Sequence, residues 1–491
     1  MAPPTETAFR ANLKRGFVWL GSARVVSLMA DLGGLVAALL FLSREELGLA
    51  TLSWSIAVVL EAFNGLGIGA GLVQAKTVSR AQFDSIFWYV IGIAALLFGI
   101  AALSAPWIAA IYEEPELSSM IVVSASKLLL VGAALVPLQR LNRHLRFRLL
   151  GQLNALSSLL SNGVKVALAA AGYGAWALVI GHMSYGLVIL VAVYCVAPWR
   201  PRPRFAFGRI RGLAAFGWRV ATSDVIFHFS RNADYILVGK FLGTEALGVY
   251  RVAFEVAMKP GAEVLHVINR AAFPVFARLR STPARLAEAF AWTTRGLAFV
   301  LVPIAVLLWF VAPHIVLVVG AGKWAAAEPV IRLLCGAAVL RTLTQLFPPL
   351  FHATRPGLAV LEAVVSCSFL VGAFLFALSG WRADYGIEAM GWAWLLSYPL
   401  LWLFAWSLAR RIVPLRLAPL IAALRHPIGA GLTTAAALFP TRWIPAVASR
   451  PLTMVLLQGA LTAAVLWAYA RWRLHEKVVE IVTSGDRGGE S

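Results

Sequence analysis

The sequence predicts an all-α integral membrane protein with about fourteen transmembrane helices, in two pseudo-symmetric six-helix bundles followed by two further helices. Three observations support this prediction. The composition is strongly apolar. Apolar stretches of about 20 residues recur from Gly16 to Trp472. One segment is also repeated two hundred residues later.

The composition excludes a single soluble domain. Apolar residues make up 60% of the 491 residues and charged residues 13%, with a mean hydropathy of +0.79, whereas a soluble domain has about 25% charged residues. Each apolar stretch is long enough to cross the roughly 30 Å of hydrocarbon in a bilayer. Since lipid offers no partner for backbone N–H and C=O groups, these stretches are expected to be helices. Membrane helices also tolerate the prolines inside or near the stretches, which are Pro106, Pro137, Pro260, Pro303, Pro348, Pro349 and Pro399.

The repeated segment lies between predicted spans. Phe41 to Gly48 reads FLSREELG and Phe241 to Gly248 reads FLGTEALG, so that Phe, Leu, Glu, Leu and Gly recur in register. Internal repeats are typical of transporters, in which two similar bundles move about a shared central cavity. Weaker matches follow in the same order, namely Ala105–Ile108 with Ala312–Ile315, and Gly174–Ala177 and Ser184–Tyr185 with Gly391–Ala393 and Ser397–Tyr398.

The repeat divides the chain into four parts. We expect a first bundle at residues 12–200, a second at 208–412, two additional transmembrane helices at 413–474 and a cytoplasmic tail at 475–491. A basic stretch, Arg200–Arg204, connects the two bundles. Because each bundle has an even number of spans, both enter the membrane in the same orientation, and their pseudo-axis stands along the membrane normal.

The basic residues predict the orientation, because cytoplasmic loops retain Lys and Arg. No apolar stretch followed by a small-residue cleavage site opens the sequence, so the first span is expected to remain. With both termini in the cytoplasm, alternate loops are basic. The opposite loops are short and relatively acidic, with scattered bases such as Arg44, Lys323, Arg442 and Arg450. The net charge of +20 then sets the topology and faces anionic lipid, so nucleic acid is not needed as a partner.

Charged residues within the spans are the candidate lining of a cavity. Each costs about 2.5–3.5 kcal/mol at a helix centre on insertion scales, so they are expected to face the interior of the bundles. The candidate substrate-binding residues are Arg24, Asp31, Glu61, Arg219, Asp224, Arg231, Asp234, Arg251, Glu255, Lys259 and Arg270.

The repeat register predicts a gate among these charges. An offset of two hundred residues pairs Arg24 with Asp224 and Asp31 with Arg231, so equivalent positions carry opposite charges. The spacing within each span is about two helical turns, or roughly 10.5 Å, which puts both members on one face. We expect two stacked ion pairs that close one side of the cavity in one transport state. Their separation in the other state would make Arg24 and Arg231 available to phosphate.

The gate residues Arg24, Asp31 and Arg231 have a structural alternative, in which charges neutralise each other within each bundle. Two further sets of charges have alternatives of their own. One set alternates in sign at i,i+4 spacing and can pair within its own helix; it consists of Arg251, Glu255, Lys259 and Glu263. The other set is isolated in apolar spans and can snorkel toward the cytoplasmic edge; it consists of Lys127, Lys165, Arg332 and Arg341. The glycine run Gly65–Gly71 favours close helix packing or a hinge over a phosphate loop, because no strand-turn-helix pattern surrounds it.

Several short runs resemble one group of membrane proteins. They are Gly65–Gln74 and Ser230–Gly243, together with the pair Phe87-Trp88, the loop Tyr112–Leu117 and the turn Gly322–Trp324. With the order of the spans, they make most of the chain similar to the Wzx-type polysaccharide flippases of the multidrug/oligosaccharidyl-lipid/polysaccharide (MOP) superfamily. None of these runs is catalytic, so the resemblance is one of pattern and order.

The resemblance implies a fold and a function. It implies a MATE-like fold and a flippase that moves polyprenyl-diphosphate-linked oligosaccharide repeat units across the bacterial cytoplasmic (inner) membrane. Alternating access would supply these units to surface or exopolysaccharide biosynthesis. The expected partners are the lipid-linked oligosaccharide, membrane lipids, a polysaccharide polymerase and a chain-length regulator. No cofactor or metal is expected. Because the sequence contains no ATPase domain, an ion gradient, the membrane potential or the substrate's own gradient would supply energy.

Two other classes stay open at this point. A MATE-like drug or metabolite antiporter shares the layout, but a cation extruder should have an acidic interior. The charges of spans seven and eight are near balance, and the other lysines and arginines in the spans make the total basic, so the family resemblance carries most of this distinction. A membrane-embedded polymerase, ligase or glycosyltransferase needs a sizeable outer loop with catalytic residues. The predicted outer loops are short and contain no paired carboxylates, nucleophile triad or metal cluster, so an enzyme is not expected.

Overall fold

The computed structural model describes the backbone of residues 6–64, 72, 78–144, 146–197, 199–320, 322–415, 417–443 and 450–473. Side chains are described over the same ranges except at residues 6–22, 62, 64, 216–228, 230–231, 270–271, 356, 359, 417–420, 423 and 472–473. Within these ranges the chain is almost entirely helical and contains no strand.

The helices of the described residues are numbered α1 to α14 in chain order. They are α1 (Glu6–Phe41), α2 (Arg44–Asn64), α3 (Arg80–Tyr112), α4 (Pro115–Arg143), α5 (Phe147–Ala170), α6 (Ala175–Val196), α7 (Arg211–Leu279), α8 (Pro283–Val318), α9 (Ala327–Thr344), α10 (Phe347–Thr354), α11 (Pro356–Arg382), α12 (Glu388–Ala409), α13 (Leu417–Leu438) and α14 (Pro451–Arg473). Two short 3-10 helices, Phe207–Arg209 and Phe439–Trp443, precede α7 and follow α13.

Two features relate these helices to the predicted spans. Gly243 interrupts α7 with φ 84° and ψ 174°, values that an L-residue rarely adopts, so α7 consists of two helices joined at a kink. The helices α9 and α10 together form one candidate span, Ala327–Thr354. Counted in this way, the described helices match the predicted number of about fourteen spans. Nine stretches of the described chain are long and apolar enough to cross a membrane.

Most of the prolines lie inside helices, as predicted for membrane spans. The helices continue through Pro106, Pro137, Pro260, Pro303 and Pro399. The adjacent prolines at 348 and 349 instead fall in the first turn of α10, where a missing N–H leaves no hydrogen bond unmade.

The chain forms two compact units, Met1–Arg251 and Val252–Ser491, whose boundary falls within α7. In the first unit α1 packs on α5, α3 on α4, and α6 on both α4 and α5. In the second unit α8 packs on α9, α13 and α14, while α12 packs on α9 and α11. A chain of aromatic rings fills part of the second core, with Phe290 and Phe347 centroids 5.1 Å apart. The four-part division derived from the repeat stays a prediction.

The two copies of the repeated segment meet in the first unit. The Arg44 guanidinium donates to Glu245 Oε1 at 3.0 Å, and the Thr244 hydroxyl donates to Glu114 Oε1 at 2.9 Å. Lys240 Nζ also donates to a carbonyl oxygen at the end of α3, at 2.6 Å. The turn at Gly243 is therefore tied to both α2 and the α3–α4 connection.

Candidate functional site

Five side chains from four helices form a central cluster in the first unit. They are Trp54 and Glu61 of α2, Lys127 of α4, His182 of α6 and Arg251 of α7. Lys127 Nζ lies 3.2 Å from Glu61 Oε2 and 2.9 Å from His182 Nε2. Since the Lys127 side chain is only 13% exposed, this ion pair keeps its charge inside the helical bundle. Lys127 is therefore paired with Glu61 and is not isolated in its span.

Arg251 lies against two aromatic rings of the same unit. Its guanidinium carbon is 4.7 Å from the ring centroid of Trp54 and 5.2 Å from that of Tyr235. The Trp54 and His182 rings meet edge to face, with centroids 5.5 Å apart. The Trp54 Nε1–H is buried and has no acceptor in the part of the chain that the structure describes. A cation on an indole, beside an unused donor, suits a ligand that has both an anionic group and hydroxyls.

A second polar group lies where α1 packs on α5. Asp31 Oδ1 accepts hydrogen bonds from Ser158 Oγ at 2.7 Å and from Asn162 Nδ2 at 2.8 Å. The Asn162 Oδ1 accepts in turn from Lys165 Nζ at 2.8 Å. Ser158 and Asn162, one helical turn apart, thus fix the Asp31 carboxylate on this face of α5.

The central cluster and the Asp31 group meet near one histidine. Lys127 Nζ lies 2.9 Å from His182 Nε2, Lys165 lies against Gly181, the residue before His182, and Arg251 lies on the Trp54 ring that meets the His182 ring. Asp31, Glu61 and the fully buried Asp234 supply three carboxylates beside these three cations, so the charges of this region are close to balance.

Asp234 supports the arginine of the central cluster. Its fully buried carboxylate accepts from the Tyr250 hydroxyl at 2.8 Å and from the Tyr235 backbone N–H at 2.9 Å. The Tyr235 and Tyr250 rings meet edge to face, with centroids 5.8 Å apart. Asp234 therefore holds in place the tyrosine on which Arg251 lies, so we assign it a positioning role.

Other candidate residues are separate from this site or fall outside the description. Arg24 is exposed on α1. The candidates whose side chains lie outside the described residues are Arg219, Asp224, Arg231 and Arg270. The two ion pairs predicted between spans one and seven therefore stay a prediction. The glycine run at residues 65–71 also lies outside the described residues.

In the second unit, the predicted pairing within a helix is confirmed at one position. Lys259 Nζ lies 3.3 Å from Glu255 Oε2, one turn away on α7. Arg341 of α9 is 8% exposed, and its guanidinium carbon is 5.0 Å from the Phe254 ring centroid. Within the described residues, no group of three or more His, Cys, Asp or Glu side chains is placed to hold a metal ion.

Sequence reasoning missed three members of the site. His182 stands alone in an apolar span and gives no periodic signal. The other two, Ser158 and Asn162, belong to a buried polar stripe on α5 that also includes Ser157 and Ser161. Because such a stripe is unusual in a membrane span, its helical spacing could have identified this face of α5.

Comparison with known proteins agrees with the fold and identifies the family. The family described as polysaccharide biosynthesis protein matches residues 39–329, which is more than half of the chain. The chain belongs to this family.

Three curated relatives of this chain have related names. The teichuronic acid biosynthesis protein TuaB of Bacillus subtilis is 28% identical over 57% of this chain and 58% of its own length. The succinoglycan biosynthesis transport protein ExoT of Rhizobium meliloti is 26% identical over 75% of this chain and 74% of its own. The lipopolysaccharide biosynthesis protein WzxC of Escherichia coli is 21% identical, over 68% and 69%. The match to TuaB thus spans less than two thirds of that protein.

Solved transporters share the fold of this chain. The lipid II flippase MurJ, in an inward closed conformation, has a TM-score of 0.73 with 11% identity, over 93% of this chain and 99% of MurJ. A multidrug resistance MATE family transporter of the MOP superfamily, facing inward, has a TM-score of 0.63 with 13% identity, over 79% and 94%. The chain is therefore a multi-pass, all-α membrane protein with the fold of this superfamily.

Proposed function

We propose that this protein is a flippase that moves polyprenyl-diphosphate-linked oligosaccharide repeat units across the bacterial cytoplasmic membrane. The units would supply surface or exopolysaccharide biosynthesis, and both chain termini would lie in the cytoplasm. Its family and its fold support this proposal. An ion gradient or the membrane potential would drive alternating access, and a polymerase and a chain-length regulator would act on the translocated product.

The central cluster is the observation that carries the proposal. A lipid-linked oligosaccharide presents a diphosphate and many hydroxyl groups, which need cations and hydrogen-bond donors inside an apolar shell. Lys127 and Arg251 supply cations, and Trp54 supplies a ring and a buried N–H donor without an acceptor in the described chain. Arginine and lysine bind phosphate oxygens through charge-assisted hydrogen bonds, and an indole presents an apolar face with a polar edge.

The charges of spans one and seven provide the proposed gate. Asp31 Oδ1 accepts both hydrogen bonds from α5, and its Oδ2 has no hydrogen-bond partner within the described residues. This arrangement fits an Asp31 that is fixed in place and presents one oxygen to Arg231. Reversal of either charge should impair transport, and reversal of both should restore it. If the double reversal transports no better than the single ones, the gate is refuted.

The test of the function is complementation of a strain that lacks this gene. The wild-type chain should restore surface polysaccharide and remove accumulated lipid-linked precursor. The strain that expresses Lys127→Met should still accumulate precursor. We expect its transport to fall about tenfold or more, because one charge-assisted contact to phosphate is removed. Arg285→Gln, which removes an exposed charge from the first turn of α8, is the matched control and should transport normally.

The same strains decide between the flippase and the MATE-like antiporter. Normal surface polysaccharide without precursor accumulation in the deletion strain, combined with greater sensitivity to cationic drugs, would favour the antiporter. Precursor accumulation with unchanged drug sensitivity would support the flippase. Lipid-linked precursor measured on each side of isolated membranes would separate a translocation defect from a defect in sugar assembly.

A further inference from the structure

Basic and aromatic side chains meet toward one end of α8 in the second unit. Trp309 and Phe310 of α8, Arg332 of α9, and Phe439 and Arg442 of the 3-10 turn after α13 form this Arg442 cluster. Its elements lie together because α9 and α13 both pack on α8. In the predicted orientation this end is extracytoplasmic, where basic residues are scarce.

Aromatic rings surround the Arg442 guanidinium. Its central carbon is 5.0 Å from the ring centroid of Phe310, 5.3 Å from that of Trp309 and 5.7 Å from that of Phe439. In the part of the chain that the structure describes, it has no ion-pair or hydrogen-bond partner. Rings interact with the flat faces of a guanidinium, whereas the N–H donors project from its edge. Arg442 is thus an exposed cation that is held in place and presents donors to an anion.

Arg332 shows the contrasting case beside the same indole. Its guanidinium carbon is 4.9 Å from the Trp309 ring centroid, but its Nη2 lies 2.8 Å from Glu328 Oε1. The Glu328 carboxylate pairs with Arg332 and balances its charge, so the positive charge of Arg442 remains as the net charge of the cluster. An anion from outside the described chain would complete the site.

The surroundings of Arg442 indicate which anion this is. Trp309, Phe439 and Trp443 are 37%, 47% and 69% exposed, and exposed tryptophans at span ends lie at the level of the lipid headgroups. Phosphate is the anion at that level, and two of its oxygens match the planar arginine fork. We propose that Arg442 binds the phosphate group of a lipid at the extracytoplasmic surface. The lipid is either a membrane phospholipid or a polyprenyl diphosphate.

The proposal deepens the proposed function only if the lipid is the polyprenyl carrier. A phospholipid would bind the same phosphate site whatever the protein transports. A binding measurement that does not depend on transport therefore tests the site separately from the flippase activity.

The experiment places the full chain in nanodiscs of phosphatidylcholine that contain a photoactivatable phosphatidylglycerol. After illumination, peptide mass spectrometry maps the crosslinks. We expect crosslinks at the turn around Arg442 in the wild type and about a tenfold loss in Arg442→Gln, because the charge-assisted contact is removed. Arg442→Lys keeps the charge but loses the planar fork, so a partial loss is expected. Arg450→Gln is the matched control, because Arg450 is an exposed charge that follows the same turn.

Competition identifies the lipid, and the variants decide whether the site exists. The site belongs to the carrier if unlabelled undecaprenyl diphosphate displaces the crosslink at a lower concentration than phosphatidylglycerol does. It belongs to phospholipid if phosphatidylglycerol displaces the crosslink at the lower concentration. Equal crosslinking in the wild type and Arg442→Gln would overturn the proposal. An equal loss in Arg450→Gln would do the same, because it would indicate a general charge effect. If Arg442→Gln unfolds at a lower temperature than the wild type, the crosslink yield of Arg442→Lys relative to the wild type tests the proposal instead.

Discussion

Gly48 and Gly248 lie against each other's helices where the two copies of the repeat meet. A Cβ on Gly48 would overlap the carbonyl oxygen of Thr244, and a Cβ on Gly248 would overlap that of Arg44. Each glycine faces the residue four positions before the other one, which is the reciprocal contact that a two-fold axis produces. The recurrence of glycine in both copies thus has a steric reason, because only a hydrogen atom fits there.

Alanine at either glycine should separate the two helices. We expect Gly48→Ala and Gly248→Ala each to destabilise the protein by about 1–3 kcal/mol, the usual cost of overpacking, and to lower its melting temperature in detergent. Gly99→Ala on α3 is the control, because a Cβ there meets no atom within 4 Å. The control should melt at the same or a higher temperature, since Ala is favoured over Gly in helices by about 0.8–1.0 kcal/mol. Equal melting of Gly48→Ala and the control would contradict this steric account.

The helical fold was largely predictable because a bilayer restricts the choices of the backbone. A long apolar stretch has to form its own hydrogen bonds in lipid, so length and composition alone predict helices. The repeat also predicted that residues 41–48 and 241–248 occupy equivalent positions in two similar bundles. In the structure the two copies are in contact, with Arg44 3.0 Å from Glu245.

The partners inside the site were much less predictable. The membrane cost of charge predicts that Glu61 faces the interior, but it does not say which helix provides the counter-ion. That partner, Lys127, is 66 residues away, and the partner of Asp31, Asn162, is 131 residues away. Both pairings depend on which helices pack together, namely α2 with α4 and α1 with α5. Hydropathy carries no information on this pairing.

The ion pair between Arg44 and Glu245 should contribute little to stability. The two side chains are 35% and 67% exposed, and exposed pairs are usually worth about 0.2–1 kcal/mol. We expect a double-mutant cycle with Arg44→Gln and Glu245→Gln to give a coupling energy within that range, reduced further by salt. A coupling well above it, undiminished at high salt, would show that the pair is far less hydrated than its exposure implies.

The Lys127–Glu61 pair should behave differently because both side chains are less exposed, at 13% and 31%. Lys127→Met leaves the Glu61 carboxylate without the cation 3.2 Å away, and we expect a loss of stability of about 1–3 kcal/mol. The double variant Lys127→Met with Glu61→Gln should recover part of this loss, because the uncompensated charge is then removed. Thermal unfolding of the three variants in detergent measures the recovery. A double variant that is less stable than Lys127→Met would show that Glu61 stabilises the fold by other contacts.

Trp54→Phe should separate binding from stability. The substitution keeps an aromatic ring beneath Arg251 but removes the buried N–H that has no acceptor within the described residues. An unsatisfied buried donor costs about 1–3 kcal/mol, so the variant should be at least as stable as the wild type. If the donor serves a sugar hydroxyl, transport in the complementation assay should fall while expression and melting temperature hold. Full transport by the variant would exclude that use of the donor.

Gly34 and Asn162 should show strong coupling, because a Cβ on Gly34 would overlap the Asn162 side-chain amide. Gly34→Ala would push this amide away from Asp31, to which it donates at 2.8 Å, so we expect a loss of stability of about 1–3 kcal/mol. Asn162→Ala should cost a similar amount through the lost hydrogen bonds. The double variant should be more stable than the sum of the two losses implies, because the small residue at 162 makes room for the new methyl group. Gly33→Ala, with no atom within 4 Å of its added Cβ, should give no coupling with Asn162→Ala. Strict additivity for Gly34→Ala would mean that α1 and α5 do not pack closely at this position.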